Sequence, residues 1–306
     1  MMKTEQVKYG RLEWTNIENP THEFLLELEK KHGFHELDLE DCLSKTESPK
    51  IEEHKDYVFI VFHFPIRNIK TGYFVVESLN VFISQKYLIT MSRGRLKKLD
   101  EVFEDMTSDV KERRRVMKQG SGYLLYELMY ELFESCMPYL TQLSRFIHEI
   151  EDDIFEGKVA KDRLYDVMKV KRKLITLKRT ILPHETIIEE IEHLHKRFMK
   201  KELEVYFDDI ADKIARAKNH LNSMTEMINT LHEANESLTS HNTNRVIKVL
   251  TVFSVMMLPI TFITGLYGMN VALPIQGEAM AFWQLLAGMG GVLVLMMVVF
   301  RWMRVI

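Results

Sequence analysis

Two long apolar runs lie near the end of the chain. Residues 281–300 hold Gln284 as their only strongly polar side chain, and residues 246–266 are interrupted only by Lys248 and four hydroxyl side chains. A helix rises about 1.5 Å per residue, so either run can cross the roughly 30 Å hydrocarbon layer of a bilayer. The pattern predicts a multi-pass membrane protein with two C-terminal transmembrane helices.

Strand-like and helix-like patterns alternate over residues 1–120, which we expect to form one domain. Runs rich in β-branched and aromatic residues predict strands at 7–14, 57–65, 73–76 and 79–91. Apolar residues at helical spacing predict helices at 20–31 and 38–44. Such alternation is typical of layered folds, so we predict an α/β/α cytosolic domain in an α+β membrane protein.

Beyond Gly120 the strand pattern disappears and the chain is predicted to be helical. We expect one helix over 123–155 and a second over 162–182, because Gly157 and Pro183 are helix-ending residues. Together they predict an antiparallel hairpin region over 121–199 with an acidic tip.

An apolar repeat of seven residues begins at Leu203. Its two series are Leu203, Ile210, Ala217, Met224, Leu231, Leu238 and Arg245, and Phe207, Ile214, Leu221, Ile228, Asn235 and Asn242, so the repeat ends on polar residues. Such a repeat is typical of helices packed along a long seam, and it continues into the first apolar run. We therefore predict one helix over 200–266, a stalk that becomes the first transmembrane helix. The seam fits an intramolecular helix pair or a symmetric homo-oligomer, and we favour the oligomer because so long a helix needs extensive cover.

The distribution of charge predicts the topology. Residues 1–243 carry 37 basic and 43 acidic side chains, a net −6 that argues against nucleic acid and favours cations as partners. The basic side chains beyond residue 243 flank the outer ends of the two spans: Arg245, Lys248, Arg301 and Arg304. By the positive-inside tendency, both termini are expected in the cytoplasm, including the basic tail 301–306, and the loop 267–280 outside. The first 14 residues lack a secretory signal pattern, which also favours a cytosolic domain.

Sequence signatures of enzymes are absent. The His-Glu pairs lack a second histidine at zinc-protease spacing, and the chain has no P-loop, GxSxG or GxGxxG motif. Cys42 and Cys136 are too few for a disulfide framework, so we expect both to be reduced and buried. We predict no catalytic activity and no organic cofactor.

One face of the first span mixes small, hydroxyl, amide and aliphatic side chains. This stripe consists of Asn244, Ile247, Leu250, Ser254, Leu258, Thr261 and Gly265. Such a stripe fits helix packing in the membrane, or it lines a pore if several copies surround an axis. In a pore, the aliphatic rings can gate by dewetting and the hydroxyls can exchange hydrogen bonds with a hydrated ion.

The segment Gly265-Leu266-Tyr267-Gly268-Met269-Asn270 ends this span. Its glycines allow close approach to backbone carbonyls, and the Asn270 amide supplies a neutral oxygen acceptor. Neutral oxygens suit a hydrated hard cation such as Mg²⁺, which gives up its water reluctantly.

The sequence here resembles the CorA magnesium transporter family. The resemblance rests on Tyr267-Gly268-Met269-Asn270 directly after the proline-containing span LPITFITGLYGMN, a short loop, a second span and a basic tail. It implies a homopentameric funnel whose first span lines the pore. It also implies that Gly268, Met269 and Asn270 form the outer selectivity motif, with asparagines contacting hydrated Mg²⁺ through its water shell.

The resemblance assigns roles to further positions. Thr261 and Gly265 match the lower pore, and Asn244, Ile247 and Leu250 match the cytosolic constriction. Val271 departs from a common aromatic, and Pro274 lacks the usual following Glu, so we expect Glu278 to form the outer acidic ring. Family members are gated by cytosolic Mg²⁺ bound between subunits, for which the candidate ligands are Asp208, Asp209, Asp212 and Glu233; the alternative is a solvated helix flank.

We therefore predict a Mg²⁺ channel of the cell membrane, with Co²⁺ and Ni²⁺ as further cargo. Its partners are copies of itself, divalent cations and the lipid bilayer, and Mg²⁺ serves as both cargo and regulator. One alternative is a zinc transporter of the related branch, and Met269 favours magnesium over it. Another alternative is a membrane-anchored sensor or scaffold that transports nothing.

Overall fold

The computed structural model describes residues 2–44, 48–156, 160–194, 201–270 and 280–303. The chain divides into two compact units, Met1–His232 and Glu233–Ile306, which are described separately below.

The first unit contains a six-stranded mixed sheet. Its strands are β1 Lys3–Tyr9, β2 Leu12–Glu18, β3 Lys50–Glu53, β4 Val58–Arg67, β5 Phe74–Ile83 and β6 Tyr87–Ser92. They lie in the order β1-β2-β6-β5-β4-β3, with β2 and β6 parallel and every other neighbouring pair antiparallel.

Helices cover both faces of this sheet. Between β2 and β3 come α1 His22–His32 and α2 Glu36–Leu43. After β6 come α3 Lys97–Ser108, α4 Val110–Met117, α5 Ser121–Glu134, α6 Met137–Phe155, α7 Ala160–Ile181 and α8 His184–Glu192. Phe59 and Val61 of β4 join the core under α1 and α2, while Ile60 and Phe62 join the larger core under the later helices. This alternation follows from the two-residue period of a strand, and it confirms the predicted three-layer domain.

Several predicted boundaries are wrong. The single strand expected at 7–14 is a hairpin, because Gly10 takes a positive φ of 59° and turns the chain between β1 and β2. The strands expected at 73–76 and 79–91 instead divide at Ser84-Gln85-Lys86, and β3 was not predicted. The helix expected over 123–155 breaks before Met137, because Pro138 fits only the first turn of a new helix. Gly157, the expected cap, lies outside the described residues.

A single helix, α9 Glu204–Tyr267, follows a short 3₁₀ turn at Lys201–Leu203. The predicted long helix is thus confirmed. A further helix, α10 Ala281–Trp302, follows in the second unit.

The heptad residues from Leu203 to Leu231 are buried within their own chain. They belong to the same core as the sheet and the helices α5 to α8. Lys213 Nζ lies 2.6 Å from Glu134 at the end of α5, and Lys218 Nζ lies 2.7 Å from Glu185 on α8. The preference for an intersubunit seam was therefore wrong over this stretch, and the intramolecular alternative is correct, because the domain itself supplies the cover.

His184 joins α8 to the sheet. Its Nε2 accepts a hydrogen bond of 2.9 Å from the His63 backbone N–H, and its Nδ1 lies 3.0 Å from the Ile181 carbonyl oxygen. A neutral ring with its proton on Nδ1 satisfies both contacts. The ring also stacks on Phe62 and meets Phe133 edge-on. Burial lowers the pKa of His184 to about 4, so the ring is neutral at physiological pH.

Both cysteines are free thiols buried in the first unit. Burial raises the pKa of Cys42 well above its usual value and that of Cys136 to about 12. The prediction of two reduced, structural cysteines is confirmed for the described fold.

Candidate functional site

Two of the helices that the structure describes are long and apolar enough to cross a bilayer. They are α9, through its C-terminal part, and α10. No residue of their most apolar windows is buried in the chain. The two apolar runs found in the sequence are therefore both helical, as predicted, and neither contains a fully buried side chain in its most apolar window.

The two faces of α9 differ beyond residue 246. Val252, Val255, Pro259, Ile263 and Tyr267 are half-buried and recur at three- or four-residue intervals. A matching row of half-buried residues runs along α10 at Leu285, Met289, Val292 and Met296. At 3.6 residues per turn, each row forms one face of its helix.

The predicted stripe lies on the opposite side of α9. All seven of its residues, from Asn244 to Gly265, are exposed, with Leu250 62% and Leu258 65% accessible. At about 100° per residue, the positions 247, 250, 254, 258, 261 and 265 cluster roughly opposite the half-buried row. The stripe is therefore uncovered within the second unit.

The hydroxyls of this segment are arranged as acceptors. The Thr261 hydroxyl donates its proton to the Met257 carbonyl oxygen at 2.9 Å, and the Thr251 hydroxyl donates to Ile247 at 2.8 Å. Each oxygen keeps lone pairs after its proton is used in this way. The waters around a cation direct their hydrogens outward, so acceptor groups of this kind suit a hydrated cation.

The motif Gly268-Met269-Asn270 follows the last residue of α9. The Gly268 N–H donates to Thr264 O at 2.9 Å and the Met269 N–H to Leu266 O at 3.2 Å, which extends the helical turn. A Cβ at position 268 would lie 3.2 Å from Thr264 O, a distance tighter than usual, so this turn favours glycine. Met269 and Asn270 are exposed at the end of the described segment. Val271, Pro274 and Glu278 lie outside the described residues.

The candidate regulatory carboxylates lie along α9. Asp208 and Asp212 are exposed and Asp209 is half-buried, all in the first unit, while Glu233 is exposed in the second. Among the described residues none of the four has an ion-pair partner.

The fold adds an acidic neighbour that the sequence analysis missed. Burial, and then the charge of Asp208, raises the pKa of Glu192 at the end of α8. Burial and Asp209 likewise raise the pKa of Tyr126 to about 12. The acidic run at the end of α8 was the available signal, but only the packing of α8 beside α9 brings Glu192 near Asp208.

Comparisons with known proteins converge on one family. A family model described as CorA-like Mg²⁺ transporter protein matches residues 9–302. The cobalt/magnesium transport protein CorA of Thermotoga maritima is 27% identical over 88% of this chain and 76% of its own length. The zinc transport protein ZntB of Pectobacterium atrosepticum is 24% identical over 63% of this chain and 57% of its own.

A solved structure confirms the fold. The complete structure of the CorA magnesium transporter from Methanocaldococcus jannaschii matches with a TM-score of 0.84 at 23% identity, covering 97% of this chain and 93% of that one. The predicted architecture is thus confirmed: an N-terminal α/β domain, a long helix continuing into a transmembrane helix, and a second C-terminal helix.

Proposed function

The chain belongs to the CorA-like Mg²⁺ transporter protein family, and from that premise we propose that it conducts Mg²⁺ into the cell through a pore lined by its first transmembrane helix. Its family makes it a divalent metal ion transporter of the membrane, with two C-terminal transmembrane helices and a soluble N-terminal domain. The choice of Mg²⁺, the pore residues and the gating belong to the proposal.

The uncovered stripe of α9 carries this proposal. Covering one face of α9 within the chain and leaving the opposite face open suits a helix whose open face meets copies of itself around an axis. A homopentameric funnel is the assembly we propose, with Asn244, Ile247, Leu250, Ser254, Leu258, Thr261 and Gly265 facing the pore. Its acceptor hydroxyls support a hydrated cation as cargo.

Selectivity resides at the outer end in this proposal. A ring of Asn270 amides accepts hydrogen bonds from the water shell of Mg²⁺, and Gly268 keeps the backbone compact below it. Glu278 adds negative charge that concentrates cations at the entrance. Neutral oxygens hold the ion weakly enough for release.

Gating resides on the cytosolic side. Rings of Ile247 and Leu250 exclude water when the pore is narrow, which stops ions without a charged barrier. Mg²⁺ bound by Asp208, Asp209, Asp212 and Glu233 between subunits screens their repulsion and favours the closed state. Falling cytosolic Mg²⁺ then shifts the population toward the open state.

The test is ion flux into liposomes that contain the purified full-length protein and an Mg²⁺-sensitive dye. We expect Mg²⁺ entry that Asn270→Ala reduces at least 100-fold without loss of assembly, because the amide ring is removed. Asn222→Ala, the same change at an exposed position of α9 in the first unit, is the matched control and should leave flux unchanged. Wild-type flux in Asn270→Ala would refute the assignment of the selectivity site.

The ZntB relative makes zinc the second candidate cargo. Zn²⁺ is therefore tested in parallel, with and without a proton gradient. Zn²⁺ entry that depends on the gradient would replace magnesium by zinc in the proposal. Assembled protein that passes neither ion would favour the sensor or scaffold instead.

A further inference from the structure

Three side chains with metal-binding atoms meet at the edge of the sheet, far along the chain from the pore motif. They are Asp38 of α2, Glu52 of β3 and His54, which follows β3 directly. One ligand atom from each lies within 4.8 Å of the others. The Asp38 carboxylate is completely buried, whereas His54 and Glu52 remain partly accessible, so an ion can reach the group from solvent.

One oxygen of the Asp38 carboxylate has no hydrogen-bond partner in the part of the chain that the structure describes. Its Oδ2 accepts a 2.6 Å hydrogen bond from the Tyr57 hydroxyl and lies 2.9 Å from His54 Nε2. Its Oδ1 is buried and receives no donor among the described residues. An unpartnered oxygen of a buried carboxylate is costly, and binding a cation removes that cost.

The local charges leave room for a cation. Lys50 Nζ lies 2.6 Å from Asp41 Oδ2 and 2.6 Å from Glu52 Oε1, so one ammonium is shared by two carboxylates. A divalent ion beside Glu52 Oε2 would balance the remaining negative charge.

The surrounding hydrogen bonds fix the group before any ion binds. The His54 N–H donates to Tyr57 O at 3.0 Å in the turn that joins β3 to β4, and the two rings stack at 4.4 Å. The Tyr57 hydroxyl also accepts a 2.8 Å hydrogen bond from the His35 N–H. Tyr57 thus holds the Asp38 carboxylate in place, as hydrogen-bonding groups behind metal ligands commonly do.

We propose that Asp38, Glu52 and His54 bind a divalent first-row transition metal ion, such as Zn²⁺, Co²⁺ or Ni²⁺, within a single chain. One imidazole with two carboxylates is a ligand set for these ions, whereas Mg²⁺ prefers oxygen ligands alone. Ligand distances of about 2.0–2.2 Å require the three atoms to approach by an ångström or two, which the accessible side chains of Glu52 and His54 permit. The site is independent of the pore and of the stalk carboxylates.

The experiment uses full-length protein in detergent micelles with Co²⁺ as the probe, followed by visible absorption and equilibrium dialysis. We expect an absorption band that aqueous Co²⁺ lacks. With excess Mg²⁺ present to occupy the pore and the stalk carboxylates, we expect one bound Co²⁺ per chain, which Zn²⁺ displaces. His54→Gln should remove the band and weaken Co²⁺ binding at this site at least tenfold, because the nitrogen ligand is lost. Glu40→Gln, on the exposed side of α2, is the matched control and should bind as the wild type does.

Two further variants keep the result interpretable. Glu52→Gln lies at an accessible position and should weaken Co²⁺ binding even if a change at buried Asp38 impairs folding. Asn270→Ala should retain the band, which separates this site from the pore and from the fate of the proposed transport function. No Co²⁺-dependent band in the wild type, or an unchanged band in folded His54→Gln, would overturn the proposal.

Discussion

The two parts of α9 differ in whether the chain itself covers their apolar face. From Leu203 to Leu231, a heptad face is covered by helices of its own chain, and Phe207, Ile214, Leu221 and Ile228 are buried. From Asn244 to Gly265, a stripe with similar spacing is left open. One helix thus carries one face that is buried by its own chain and another face that its own chain leaves exposed.

The difference lies in the residues that each face presents. The covered part is aliphatic and aromatic throughout, which suits a permanent core. The open stripe mixes Asn244, Ser254, Thr261 and Gly265 with its aliphatic residues. Polar groups at that spacing would need hydrogen-bond partners in a packed core, whereas along a pore they can bind the water shell of an ion.

The largest effect is expected at the covered part. Phe207→Ala removes a large side chain that is 1% exposed, and such a cavity typically lowers the free energy of unfolding by about 3–5 kcal/mol. Urea unfolding of full-length protein, followed by fluorescence of buried Trp14 with Trp283 and Trp302 replaced by Phe, measures it. Leu258→Ala on the open stripe is the comparison variant and should change this value by less than about 0.5 kcal/mol. Equal losses of unfolding free energy in the two variants would show that the two parts of α9 do not differ in how far the chain covers them.

The next effect concerns pH and His184 of α8, one of the helices that cover this part of α9. The pKa of folded His184 is about 4, below the usual 6.5, so the unfolded chain takes up the proton first as pH falls. Stability is therefore fully present above pH 6.5 and declines toward pH 4, with a loss of roughly 2 kcal/mol at pH 5. The same urea unfolding repeated across pH measures this loss.

A variant that lacks only the His184 ring sharpens this result. His184→Phe should remove this part of the pH dependence, although it lowers stability at neutral pH because the His63 N–H loses its acceptor. A pH profile that is identical in wild type and variant would show that another group is responsible.

An intermediate effect is expected on the open stripe. Leu250→Ser places a hydroxyl in the proposed hydrophobic gate, which favours wetting, so Mg²⁺ leak at inhibitory cytosolic Mg²⁺ should rise about tenfold. Liposome flux measures it. Val249→Ser, one residue away and off the stripe, is the matched control and should leave leak unchanged.

The smallest effect is expected at the stalk carboxylates. Asp212→Asn removes one of several charges proposed to bind regulatory Mg²⁺, so the Mg²⁺ concentration that half-inhibits flux should rise about threefold, since coupling is shared. Asp105→Asn, an exposed aspartate of α3, is the control. Equal inhibition in both variants would show that Asp212 is a solvated residue of the helix flank and does not bind regulatory Mg²⁺.

The sequence predicted features that depend on local patterns. Both membrane helices, the continuous α9 and the α/β layering follow from periodicity within single segments. Pro138 is also a local signal for the break between α5 and α6, since proline is favoured in the first turn of a helix.

Other features depend on partners that no local pattern names. The cover over Phe207 and Ile214 comes from α5 to α8, and the meeting of Asp38 with Glu52 and His54 comes from the placement of α2 beside β3. Glu192 approaches Asp208 for the same reason. Each required the tertiary fold, because residues that meet there are separated by a turn or a whole helix.

The covered part of α9 also has a consequence for biosynthesis. The last buried heptad residue of the first unit is Leu231, and the first membrane-spanning run begins at Val246. At roughly 5–20 residues per second, the ribosome adds the intervening segment within about one to three seconds. Until the heptad residues of α9 are synthesised, the apolar surface of the first unit that they cover stays exposed. This surface is covered only shortly before the first transmembrane helix must enter the membrane. Folding of the first unit and membrane insertion of the first transmembrane helix are therefore nearly simultaneous, so a delay in either step leaves apolar surface exposed to water.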